Sequence, residues 1–439
     1  MRIRALRRLA AASALVVATS LLGAPQALAE DPAPVTVRPK AVFNDPATSP
    51  NAVRDELVTL IRNTEPNGLI RGSIYLFTDG VVRDALAAAH RDRGVRVQIL
   101  FDHDAVADQK LVDGVWKATG SEFSTLGQRL GRVVGYGESV DADATGSFVL
   151  GCPENRGCIG NRGLKKSDGS VEYAINHNKY FLFSKVGATP NVVFQSSANL
   201  TANHRTGMFN NAVTVPHTGL YDEYTHYWKD QLTHGTSGAG LDDYYRSTDV
   251  GAYKTYFFPR IESDRDTRDT SAVDPREDAS TDTVVSLLKN VSCATTPATE
   301  IRVAMYAFTR TQVADRLAAL QAAGCRVHVV VNGEDGNVGS GVRAALTSAG
   351  LTTLRQCAGT DAGSYGVHSK YLLIDGSYLG SPRKVVFTGS HNYTYPNLRS
   401  QDETLLKIDQ AEIFEAYRQN FDTTLLGSAA CQGALSSAP

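Results

Sequence analysis

The sequence predicts an α/β protein made of two homologous halves, each an α/β sandwich, related by a pseudo-twofold with the active site at their interface. Three observations carry this. Arg71 to Asp102, RGSIYLFTDGVVRDALAAAHRDRGVRVQILFD, resembles Glu300 to Asn332, EIRVAMYAFTRTQVADRLAALQAAGCRVHVVVN, and both read strand, helix, glycine turn, strand. A His-x-Lys pair followed by a Ser-x-Asn corner occurs twice, opening at His177 and at His368. Each half then ends on a similar amphipathic segment, Tyr221 to Leu232 and Phe414 to Leu425.

Residues 1–29 carry four arginines, an apolar run from Leu9 to Leu22 and Ala27-Leu28-Ala29, the order of a secretory signal peptide cleaved after Ala29. The apolar run of about 14 residues is short for a membrane span of about 20. The expectation is a secreted, extracellular protein. Loss of the leader takes the formal net charge from −2 to about −6, which argues against a polyanionic partner, since nucleic-acid binders carry a basic excess.

The first half is expected over 30–248, opening on the strand KAVF at Lys40, and the second over 249–439, opening on KTYF at Lys254. In the two long repeats Val82, Leu86 and Ala89 match Val313, Leu317 and Leu320 as the inner stripe of a helix, and Gly94 or Gly324 turns each chain into a β-branched strand. Alternating strands and helices imply a mainly parallel sheet covered on both faces. Arg96 aligns with Arg326 at an offset of 230, but His177 aligns with His368 at 191, so the first half holds 39 extra residues within about 102–172. This insertion ends at the first motif and is expected to border the active site and govern selectivity. The polar stretch Ile261 to Thr281 reads as a solvated, mobile loop.

All six cysteines lie in the exported part. An even number in an oxidising compartment favours disulfides, with 15 pairings open to six cysteines. The expected pairs are Cys152 with Cys158, Cys293 with Cys325 and Cys357 with Cys431; a zinc site is the alternative, without a ligand cluster to support it.

In a strand, residues i and i+2 share a face, so His177 with Lys179, and His368 with Lys370, each aim an imidazole and an ammonium at one point. An imidazole can attack phosphorus or protonate a leaving oxygen, while ammonium and amide groups hold phosphoryl oxygens. One such pair fits a solvated hairpin equally well; two in the same register do not.

At these residues the chain resembles the phospholipase D superfamily, whose signature is His-x-Lys-x4-Asp followed by Gly-Ser-x-Asn, usually present twice. His368, Lys370, Asp375, Gly389, Ser390 and Asn392 match it, whereas the first copy has Ser184 in place of the aspartate and Ser196 in place of the glycine. The resemblance implies a covalent phosphohistidine formed by His177, with His368 as general acid. Lys179, Lys370, Asn199 and Asn392 would surround the non-bridging oxygens, and Asp375 would support local structure. No metal or cofactor is implied.

Eleven residues after Asn392 stands Glu403, suited to hold the far nitrogen of His368; the same position after Asn199 is Asn210, an amide that orients His177 without supplying charge. Glu403 reads equally as a surface carboxylate. His204 and His391 read as occupying either a loop or a place behind the residues that meet the substrate. Tyr393, Tyr395 and Phe209 could meet acyl chains, though such aromatics usually pack beneath loops.

Two classes of function remain open. The first is a secreted phosphodiesterase cleaving phospholipid headgroups by hydrolysis or transfer to alcohols, acting as a monomer in peripheral contact with a membrane surface. An extracellular nuclease is its competitor within the class. The second is a non-catalytic descendant that binds a phosphate-bearing ligand, suggested by Ser184, Ser196 and Asn210.

Overall fold

The computed structural model describes residues 35–106, 109–112, 115–118, 121–166, 168–262, 278–359 and 364–436. The leader expected over 1–29 lies outside them, as does 263–277 of the polar stretch.

Two mixed sheets organise the chain. The first runs Lys40–Asn44, Met208–Pro216, Thr189–Ser196, Lys179–Val186, Leu69–Ile74, Arg96–Phe101, Phe148–Gly151, Val133–Val134. The second runs Arg246–Val250, Tyr253–Phe258, Glu403–Ile408, Ser381–Gly389, Lys370–Tyr378, Glu300–Met305, Arg326–Asn332, Thr353–Cys357. From the strand Lys40–Asn44 in one and Tyr253–Phe258 in the other, equivalent segments follow in the same order. In both, the strand that opens on the motif lysine lies between the strand of the long repeat and its own hairpin partner.

The expectation of mainly parallel sheets is corrected. Parallel pairing joins Leu69–Ile74 to Arg96–Phe101, and Glu300–Met305 to Arg326–Asn332, each pair linked by a crossover helix. The strands carrying Lys179 and Lys370 pair antiparallel on both sides. Their hairpins turn within Gly187-Ala188 and Leu379-Gly380, too short for the crossover that parallel strands need.

Both faces of each sheet are buried, and strand alternation divides the side chains between layers. Phe181 and Phe183 face an outer layer of helices Ala52–Arg62, Gly80–Arg93 and Glu122–Leu130. Leu372 and Ile374 do the same toward Thr283–Lys289, Thr311–Ala322 and Ser340–Ser348. Tyr180 and Leu182 from one sheet and Tyr371 and Leu373 from the other enter a shared layer, filled by helices Thr218–Ser237 and Ala411–Gln419. Each large apolar side chain buried this way contributes about 1.5–3 kcal/mol. The predicted inner stripes hold: Val82, Leu86, Ala89, Val313, Leu317 and Leu320 are all buried. Gly94 and Gly324 take positive φ of 65° and 98° at the helix exits.

All six cysteines pair as expected, Cys152–Cys158, Cys293–Cys325 and Cys357–Cys431. Glu262 departs from the solvated loop expected there: it is buried, with Arg162 Nη1 2.7 Å from its Oε2 and the Tyr395 hydroxyl donating to its Oε1. Among the described residues no helix is long and apolar enough to cross a membrane.

Candidate active site

The strands Lys179–Val186 and Lys370–Tyr378 begin at the motif lysines, so each histidine sits just before a strand end, where the two sheets meet. Backbone hydrogen bonds reach across between the sheets here. The His177 N–H donates to the Asp402 carbonyl at 3.0 Å, and the His368 N–H to the Phe209 carbonyl at 2.8 Å. Gly366–Val367 adds itself as a parallel strand to Met208–Phe209. Each histidine is therefore anchored on the end of a strand from the other sheet.

That exchange decides the partners of the rings. His177 Nδ1 lies 2.6 Å from Glu403 Oε1, and His368 Nδ1 lies 2.9 Å from Asn210 Oδ1. The expected pairing of Glu403 with His368 and Asn210 with His177 is thus reversed. Its reason is geometric: Glu403 follows Asp402, whose carbonyl holds His177, and Asn210 follows Phe209, whose carbonyl holds His368. Glu403 is fully buried, which removes the surface reading.

The motif serines complete each support from their own half. Ser390 donates to Glu403 Oε2, and Ser197 donates to Asn210 Oδ1 at 3.0 Å. Asn397 donates to Glu403 Oε1 and to Gln401 Oε1. Gly389, at φ 149°, is a position where a side chain would not fit, since a Cβ would lie 2.2 Å from the Thr404 carbonyl oxygen. In the first half Ser196 occupies this place and donates to the Asn211 carbonyl at 3.1 Å.

His177, His368, Asn199 and Asn392 line one cleft of about 480 Å³. The lysines stand beside their histidines: Lys179 Nζ donates to the His177 carbonyl at 2.5 Å, Lys370 Nζ to that of His368 at 2.6 Å. Lys370 Nζ also lies 2.9 Å from both ring nitrogens of His368. The expected residues therefore converge, with one exception. Asp375 lies five residues along the strand from Lys370, roughly 17 Å away, and lines a different cavity. Ser184, its counterpart, accepts the Leu69 N–H at 2.9 Å and so ties two strands of its own sheet.

Sequence reasoning missed a pair of tyrosines. Tyr75 packs on His177 with ring centroids 5.2 Å apart, and Tyr306 on His368 at 4.5 Å. Lys179 and Lys370 stand over the same two rings at 5.1 and 5.0 Å. Their signal was present as a shared tyrosine at the first strand end of the two long repeats. His204 stands at the cleft beside Asn199, with its Nε2 3.1 Å from the Asn199 side-chain nitrogen. His391 is buried against Phe258, Phe209 is buried, and Tyr393 packs under its loop on Phe308.

Burial pushes the His177 imidazole well below its ordinary pKa, and the ammonium groups of Lys179 and Lys370 act in the same direction. It pushes the Glu403 carboxyl up to about 8, against the pull of Lys179. His368 is pushed well down by burial and then by Lys370. Burial lowers Lys179 to about 7, and lowers Lys370 well below its usual value, with Lys179 adding repulsion. Two amines, two amides and two imidazoles in a buried cleft suit an anion, whose arrival restores the charged forms that burial disfavours.

Residues 289–425 match the family model described as cardiolipin synthase, PLD-like domain. The fold is similar to that of phosphatidylserine synthase from Haemophilus influenzae Rd KW20, with a TM-score of 0.55 and 12% identity over 91% of this chain and 88% of that one. Polyphosphate kinase from Porphyromonas gingivalis aligns with a TM-score of 0.46 and 13% identity over 88% of this chain, which spans 49% of the kinase's length. Nuc, a phospholipase D family member from Salmonella typhimurium, aligns with a TM-score of 0.28 and 17% identity over 45% of this chain and 96% of its own. No curated protein matches the sequence. Residues 289–425, which hold the complete motif, thus match a PLD-like domain, and the fold is similar to that of the synthase along nearly the whole described chain.

Proposed function

We propose that this chain is a secreted phosphodiesterase of phospholipase D type that cleaves phospholipid headgroups by way of a phosphohistidine. The observation that carries the reading is the convergence of His177 and His368 in one cleft, each held at Nδ1 by a residue from the opposite half. Holding Nδ1 leaves Nε2 as the reacting atom on both rings.

His177 is the nucleophile in this reading. Its Nε2 bonds to phosphorus as the bond to the leaving alcohol breaks, and the resulting positive ring is stabilised by Glu403. His368 donates its Nε2 proton to the departing oxygen. It then takes a proton from water, whose oxygen bonds to phosphorus as the bond to His177 breaks. An alcohol in place of that water gives transfer. Lys179, Lys370, Asn199 and Asn392 hold the non-bridging oxygens as their charge grows. The partner swap leaves the roles where the family resemblance put them, for a changed reason: the carboxylate supports the ring that must become cationic by bonding to phosphorus.

Export is supported by the leader sequence and three disulfides. The acidic mature charge favours lipid over nucleic acid, and Glu172 from the insertion lines the cleft as a candidate selectivity residue.

The test incubates the mature protein, with EDTA, separately with phosphatidylcholine vesicles plus a primary alcohol and with plasmid DNA. Choline release with formation of the phosphatidyl alcohol is the expected result. Cleavage of DNA alone would reassign the protein as a nuclease, and silence on both would sink the phospholipase reading.

A further inference from the structure

His204 stands in the cleft with its ring edge-on to that of His368 at 4.3 Å between centroids. The two-histidine reaction leaves it without a task. Burial, reinforced by Lys370 and Lys179, pushes its pKa down to about 3, so it stays neutral across the working range and adds neither a proton nor a charge.

What it does have is two engaged ring nitrogens. Nε2 lies 3.1 Å from the side-chain nitrogen of Asn199, and Nδ1 lies 2.7 Å from the Thr201 hydroxyl. With the amide placed this way, Asn199 Oδ1 is buried and has no hydrogen-bond partner among the described residues. The oxygen and nitrogen of an amide exchange places by a half-turn, so two arrangements compete. In one, Asn199 donates to His204 Nε2, and a buried acceptor is orphaned beside a site that needs donors. In the other, His204 Nε2–H donates to Asn199 Oδ1 and the Thr201 hydroxyl donates to Nδ1. Every group among these three side chains is then satisfied except the amide N–H groups, which are left for the substrate.

The second half supports the latter arrangement. There Asn392 Oδ1 accepts the Ala307 backbone N–H at 3.4 Å, which leaves its own N–H groups free. Five residues after each motif asparagine the halves differ: Asn397 serves Glu403 and Gln401, whereas His204 meets Asn199.

We propose that His204, as the Nε2–H tautomer, is a positioning residue that turns the Asn199 amide so that its N–H groups face a phosphoryl oxygen. The inference rests on the reading of the cleft as a phosphodiester site. In this role His204 does for the first asparagine what the Ala307 N–H does for the second.

Tungstate, a phosphate analogue, serves as the probe, titrated calorimetrically into the mature protein and into H204F, H204Q, N199A and the H204F/N199A double variant. Loss of one oriented donor predicts that H204F weakens tungstate about tenfold. Glutamine, which can still donate to Oδ1, stays within about threefold of the parent, and H204F adds nothing in the N199A background. Thermal unfolding identifies any variant that fails to fold. If H204F does not fold, the Asn199 side-chain amide resonances of the unmutated protein, assigned with N199A, are expected to shift on adding tungstate. Parent-like binding by H204F, a full added loss on top of N199A, or unshifted amide resonances would each overturn the role of His204 while leaving the site intact. A parent protein that binds no tungstate would instead remove the phosphodiester reading, and this inference with it.

Discussion

The asymmetry between Glu403 and Asn210 is the feature of single residues with the most chemical leverage. The two rings they support are otherwise alike, each beside a lysine and a tyrosine and each held at Nδ1. A carboxylate at position 210 would stabilise the His368 imidazolium, raising its pKa by about 1–3 units. In its proposed role as proton donor His368 works only when protonated, so the rate would fall as pH rises through its pKa. Asn210→Asp is therefore expected to move the alkaline limb of kcat/KM for choline release upward by at least about one unit. An unmoved limb would count against His368 as the acid. Replacing either His177 or His368 with alanine should abolish turnover while far-ultraviolet circular dichroism stays that of the folded protein; full activity in either variant would end the two-histidine mechanism.

Between single residues and the whole lies the strand end, where the site is assembled. Ser381–Gly389 ends in a glycine because the Thr404 carbonyl occupies the space a side chain would take. Gly389→Ala is expected to cost about 1–3 kcal/mol and to displace Ser390 from Glu403, lowering both the unfolding midpoint and kcat. A parent-like midpoint in thermal unfolding would contradict this. Much at this scale was legible beforehand: strand, helix and strand in each long repeat, the buried helix stripes, and the strand position of each lysine. The direction of pairing was not, because alternation of strands and helices reports the crossovers and says nothing of the hairpins that follow the motifs.

For the molecule as a whole, two sheets pressed on one layer of helices leave the site groups almost without water, and pH dependence follows. Glu403 is raised to about 8 and Asp102 likewise, both chiefly by burial. A carboxyl whose folded pKa lies above its unfolded value stabilises the fold below the unfolded value, near 4, and loses that contribution as pH rises through about 8. Glu403→Gln cannot titrate. Relative to it, the parent should lose on the order of a few kcal/mol between pH 4 and pH 8, as read by chemical unfolding at both values. Equal differences at the two pH values would show that Glu403 is ionised in the fold. Cys357–Cys431 closes a sequence separation of 74 residues in the second half. Its removal by paired serines is expected to lower stability by about 2–5 kcal/mol, measured as a fall in denaturation midpoint. No change in that midpoint would show the bridge to be dispensable.

The sequence by itself pointed to the repeated motif, the resemblance to the phospholipase D superfamily and six groups that converge on the cleft, His177, Lys179, Asn199, His368, Lys370 and Asn392. These follow from local spacing, which strand and helix periodicity translates directly into facing side chains. Tertiary structure alone decided which supporting residue serves which histidine, because backbone hydrogen bonds hold His177 at Asp402 and His368 at Phe209. It also decided that Asp375, adjacent to the site in sequence, lines another cavity, and that His204 stands at the cleft against Asn199. A contact between residues some 160 to 230 positions apart leaves no periodic trace in either segment, so only the packing of the two sheets could reveal it.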